Sequence, residues 1–153
     1  LLLSSNKLKI ILINFKPIEN LTVLDLSSNE IELIQNTTFY NLKMLKNLDL
    51  SNNHIKSIIS RSFDSLKILE TLIIQNNYLK NLDSNLFHHI KLLSTLDLSS
   101  NYLTFIDGNW LKGLFNLENI DLEHNQINEI KSLTFSDLKI VHTLSLNSLG
   151  IIR

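Results

Sequence analysis

Four aspartates stand at one spacing, Asp25, Asp49, Asp97 and Asp121, and the same 24-residue series runs through Ile73 and Ser145. Carboxylates about 5 Å apart on neighbouring layers of a structure repel by roughly 1 kcal/mol in water-like surroundings, and by more as water is excluded. Such a column could receive the lysines or arginines of a partner, or weakly hold a cation. The simpler reading is a solvated face, because the motif Leu-Asp-Leu-Ser recurs throughout the chain. Ile73 breaks the acidic series, with two aspartates on either side of it in sequence order.

A second series, again at 24-residue intervals, holds His54, Tyr78, Tyr102 and Gln126. Rigid aromatic side chains on a rigid framework are the residue type that interfaces use as anchors. Ile73, Tyr78 and Tyr102 are therefore the first candidates for a binding surface, with the alternative that the tyrosines pack on their own loop. Trp110, Phe105 and Phe115 are read as packing, since Leu111 takes a place where other units carry a phenylalanine.

Catalytic chemistry finds little support. No Ser-His-Asp arrangement falls on neighbouring columns, and Gly108, Gly113 and Gly150 do not make a phosphate loop. His54 and His124 are about three repeats apart, roughly 15 Å at strand spacing, which is too far for one metal ion. We expect no catalytic residues, no metal site and no cofactor.

With 14 basic and 15 acidic residues the chain carries no electrostatic footprint for nucleic acid or an anionic membrane. No apolar run approaches the length of a membrane span. Cysteine and alanine are absent and asparagine is abundant, a composition that favours strands joined by turns over long helices.

What must position these residues is a repeat. Leu21, Leu45, Leu69, Leu93, Leu117 and Val141 open successive units of the form L-x-x-L-x-L-x-x-N-x-L-x-x-I-x-x-x-x-F-x-x-L. One repeating domain therefore fills residues 1–153: complete units at 21–44, 45–68, 69–92, 93–116 and 117–140, and partial ones at 1–20 and 141–153. The chain begins and ends inside a repeat and reads as a piece of a longer one.

Positions 4 and 6 of each unit, Leu24 and Leu26 in the first complete one, alternate with polar residues, the period of a strand with one buried face. A full coil separates successive strands that run the same way, so they must pair in parallel. Positions 11, 14 and 22 return the chain over the buried face, and Phe15, Phe39, Phe63, Phe87 and Phe135 predict a spine of rings. Asn6, Asn29, Asn53, Asn77, Asn101 and Asn125 stand where each strand ends. Their amides are expected to satisfy backbone groups of adjacent coils that would otherwise cost roughly 1–3 kcal/mol each.

The series Leu45, Leu48, Leu50, Asn53, Ile55, Ile58, Phe63 and Leu66 resembles the leucine-rich repeat family, in its "typical" 24-residue subtype. That subtype is common in extracellular animal proteins such as Toll-like receptor ectodomains, Slit-like proteins and chaoptin. The resemblance implies an α/β fold class: a right-handed leucine-rich-repeat solenoid with a parallel sheet on its concave face and mostly irregular or 3₁₀ convex segments. The exposed columns assigned to that face offer Ile73, Tyr78, Tyr102, Asp25, Asp49, Asp97 and Asp121 as ligand-binding candidates.

It also implies a non-catalytic recognition segment of an extracellular or cell-surface receptor or adhesion protein, in innate immunity or adhesion. The partner would be a protein ligand or co-receptor, with dimerisation through the parent protein and no membrane insertion by this segment. An intracellular scaffold and an architectural spacer are the alternatives. Asn36 and Asn20 head Asn-x-Thr glycosylation triplets, though so asparagine-rich a chain produces as many by chance. Two departures from the family are the lack of a cysteine-rich cap and Leu149-Gly150 where an asparagine is expected.

Overall fold

A computed structural model describes residues 1–130 and 133–146, so the Leu149-Gly150 departure lies outside the described residues. The strands Val23–Asp25, Asn47–Asp49, Thr71–Ile73, Thr95–Asp97, Asn119–Asp121 and Thr143–Ser145 form one parallel sheet in that order. Register never slips: Leu24, Leu48, Leu72, Leu96, Ile120 and Leu144 face one another down the sheet. Leu2 extends it by a single parallel bridge to Asp25. The result is the expected right-handed solenoid, with little helix.

Burial follows the two-residue period. Leu24, Leu26, Leu48, Leu50, Leu72, Ile74, Leu96, Leu98, Ile120 and Leu122 are buried, as are Ile31, Ile34 and Leu42 on the returning leg. Each such side chain contributes about 1.5–3 kcal/mol through removal from water. Phe39, Phe63 and Phe87 stack at 6.1 and 6.3 Å between centroids, which bears out the ring spine. Leu111 interrupts it, and both Leu111 and its neighbour Trp110 are buried.

The asparagines act as expected. Asn53 Nδ2 donates to the carbonyls of Leu50 and Ser51 in its own coil and of Leu26 in the preceding one, at 3.0–3.1 Å. Its Oδ1 accepts from the Ile31 N–H at 3.0 Å. Asn29, Asn77, Asn101 and Asn125 repeat the pattern and are buried; Asn6, in the first coil, is exposed and bonds only Leu3 and Ser4 of its own coil.

Two features were not expected. Ser5, Ser28, Asn52, Asn76, Ser100 and His124, each just before the asparagine, adopt φ of 52–57°, the left-handed region in which non-glycine residues are strained. On the returning leg, Leu33–Ile34 pairs with Ser57–Ile58 and Phe105–Ile106 with Glu129–Ile130, two short parallel ribbons where irregular chain was expected. The 3₁₀ turns Lys16–Ile18 and Gly108–Leu111 complete that side.

Substituting Asn77→Ala strands buried carbonyls and the Ile55 N–H, and is expected to cost about 2–3 kcal/mol in urea unfolding. Ser100→Gly relieves left-handed strain and should gain about 0.5 kcal/mol. An Asn77→Ala variant as stable as the parent would show that the amide ladder does not hold the coils together.

Candidate functional site

The sheet face carries the aspartate column in the expected order, Asp25 against Asp49, Asp49 against Ile73, Ile73 against Asp97 and Asp97 against Asp121. Each carboxylate has a local task. Oδ1 of Asp25, Asp49, Asp97 and Asp121 accepts the N–H of the residue two further on, Ser27, Ser51, Ser99 and Glu123, at 2.8–2.9 Å. This is the hydrogen bond of an Asx turn, and it bends the chain off the strand just ahead of the left-handed residue. Hydrogen bonding from the Ser27 side chain, above all, holds the Asp25 carboxyl below its ordinary value of 3.8, against the opposing effect of burial.

Ile73 cannot make that bond. It lies half-buried in a shallow groove on the sheet with Val23, Asp25, Asn47, Asp49 and Thr71. Tyr78 and Tyr102 do not join it there. After Asn76 and Ser100 turn through their positive φ, the chain leaves the sheet, and the Tyr78 and Tyr102 N–H groups donate to the Ile55 and Leu79 carbonyls, each on the departing leg of the coil before. The two tyrosines line a separate hollow with Lys56, Lys80 and Asn81. The residues expected as a single patch on the concave face thus fall in two separate hollows, because the chain leaves the sheet at the left-handed turn.

On this flank the rings form a ladder. His54 stacks on Tyr78 at 5.6 Å and Tyr78 lies against Tyr102 at 6.0 Å, with both tyrosines more than 40% exposed. Offset ring pairs of this kind prefer fixed geometry, so the exposed surface is preorganised. Lys56 is held by Glu32 at 2.8 Å, and its ammonium, through that bond first, keeps the Glu32 carboxyl below its ordinary range. Lys56, Lys80 and Asn81 went unremarked in the sequence, although they fall two and three places beyond the histidine and tyrosine series.

Trp110 is buried and Phe105 lies against it at 5.8 Å, yet Phe105 and Phe115 are themselves exposed. The packing reading therefore holds for the tryptophan only; Phe115 instead sits beneath the Lys139 ammonium at 5.0 Å. Asn36 and Asn20 are both exposed, Asn36 on the convex turn, where Thr38 Oγ1 accepts from the Gln35 N–H, and Asn20 in the turn before Val23–Asp25. His88 and His89 meet edge to face at 4.9 Å. Among the described residues no three His, Asp or Glu side chains gather as a metal site, and no helix is long and apolar enough to cross a membrane.

Repeated coils, one parallel sheet and a ladder of buried amides define a solenoid repeat protein. The leucine rich repeat family profile matches residues 19–79 and 67–127, and the chain belongs to that family, a protein-interaction fold. It is 30% identical to a leucine-rich repeat protein of Leptospira interrogans, with a TM-score of 0.87 over 100% of this chain and 38% of that one.

It is also similar to TLR13, solved as a complex with ssRNA13 (25% identity, TM-score 0.67, 88% of this chain and 22% of that one). The leucine-rich repeat domain of APL1 is a further likeness (26%, TM-score 0.78, 88% and 35%). The chain thus spans well under half the length of these structures. A search of curated proteins returns no match.

The Asp25 shift has a defined sign. A carboxyl held below its ordinary value contributes stability that is complete above about pH 4 and is lost as pH falls through the lowered value. Asp25→Asn should therefore lose less stability than the parent on acidification from pH 5 to pH 2, read as urea midpoints at each pH. Parallel curves would remove Asp25 from the acid response.

Proposed function

We propose that this segment recognises a protein ligand as part of an extracellular or cell-surface receptor or adhesion protein, and that it performs no catalysis. The observation that carries the reading is the ladder of His54, Tyr78 and Tyr102, exposed aromatic surface held rigid by backbone bonds and mutual stacking. Exposed tyrosines lose few rotamers on contact and bury large apolar area, which is why they anchor interfaces. The likeness to TLR13 and to the APL1 repeat domain favours a receptor-like setting over an intracellular scaffold.

Ile73 on the sheet supplies a second contact, and the partner spans the edge between sheet and flank. The aspartates contribute chiefly by holding the turns, so they tune rather than anchor the interaction. Glycan on Asn36 would stand on the convex side, away from the sheet.

In the parent protein, Tyr78→Ala with Tyr102→Ala should weaken partner binding by more than about 2 kcal/mol in calorimetric titration, with Ile73→Ala adding a smaller loss. Retention of every partner by the triple variant would make the segment a spacer. Peptide mass mapping of protein from a secretory host should find Asn36 glycosylated; an unmodified Asn36 would favour the intracellular scaffold.

A further inference from the structure

We infer that the flank hollow between Tyr78 and Tyr102 is an acid-recognition pocket, taking a carboxylate-bearing side chain of a protein partner whose apolar stem lies on the rings. This deepens the proposed protein-recognition role and rests on it. Two independent observations converge on the hollow.

The first is a gap in the backbone pairing. Ser57–Ile58 and Phe105–Ile106 belong to separate ribbons, and the coil between them, residues 69–92, joins neither. The equivalent Lys56 N–H donates to Glu32 and the Asn128 N–H to Thr104, but among the described residues the N–H groups of Lys80, Asn81 and Leu82 donate to no protein acceptor. Backbone donors without a protein acceptor thus lie on the segment where the ribbon breaks, and two of its residues, Lys80 and Asn81, line the hollow with the tyrosines.

The second is charge. Of the residues lining the hollow, two are lysines and none is acidic. Lys56 is already paired with Glu32, whereas Lys80 is exposed and has no acidic partner among the described residues. The tyrosine faces alone would tolerate a cation. With the Lys80 ammonium unpaired at the rim, a cation is disfavoured and a carboxylate gains charge-assisted hydrogen bonds from Lys80, with backbone N–H groups of the same segment free to add to them. A single carboxylate suits this better than a long acidic tract, since Lys80 is the one lysine of the hollow without an ion pair.

The probe is phenylacetate, a carboxylate beside one aromatic ring, with neutral phenylacetamide as its match. Titrated into the full chain and followed by ¹H–¹⁵N chemical shifts, phenylacetate should shift the Lys80, Asn81 and Leu82 amides saturably, and phenylacetamide should bind about tenfold more weakly. Lys80→Gln, at an exposed position, should remove that preference without altering the thermal midpoint. Equal response to both probes, or none, overturns the inference.

Failure of the wider reading looks different. If Lys80→Gln retains the parent protein's partner while Tyr78→Ala with Tyr102→Ala loses it, aromatic anchoring stands and acid recognition falls. If the tyrosine variant retains the partner as well, the protein-recognition role falls.

Discussion

A parallel sheet one coil wide gives every strand end the same problem. The chain must turn inward over the core, and the carbonyls of that turn are shut away from water with no strand partner. From Asn29 to Asn125 one buried asparagine per coil solves it, donating to its own coil and to the coil before while accepting from the returning leg. Because each amide bonds two coils, the solution works only if successive coils keep the same length and register, and from Val23 to Ser145 the register does not slip. The amide ladder, more than the leucines, therefore sets the length of the repeat. Leucines would tolerate a neighbour of similar volume, whereas no other side chain of this size offers two donors and an acceptor in that geometry.

This constraint sorts what could be read in the sequence from what could not. Residues fixed by burial or by the amide recur at the coil period, so Leu24, Phe39, Asn53 and their equivalents were legible, as was the acidic column broken by Ile73. The left-handed column was not, since it mixes serine (Ser5, Ser28, Ser100), asparagine (Asn52, Asn76) and histidine (His124); the conformation is imposed by the turn and accepted by side chains of several types. That same turn hid the true placement of Tyr78 and Tyr102. A strand-like alternation carried past Asn76 puts them on the sheet, while the positive φ sends them to the flank.

The ribbons on the returning leg were legible only in part. Their pairing depends on exposed side chains at the position of Leu33, Ser57, Phe105 and Glu129, where no core demand fixes the residue. Asn81 occupies that position in the middle coil, and asparagine is depleted in strands because its side chain competes for backbone hydrogen bonds. The gap in pairing thus has a sequence signal, but one residue among 20 asparagines does not announce itself.

Three of the features that distinguish the surface meet in the coil 69–92. Ile73 stands where the neighbouring coils carry aspartate, Tyr78 begins the pair of exposed tyrosines, and Asn81 marks the break between ribbons. Ile73 is half-buried and Tyr78 and Asn81 are exposed, while the same coil keeps Leu72, Ile74, Asn77, Leu79 and Phe87 buried as its neighbours do. A coil losing its structural role would show departures in the buried columns first, because those are the ones the stack demands. Variation in this coil instead spares the buried columns, which the stack demands, and falls on positions with less structural duty, the pattern that leaves a surface free to vary with what it touches.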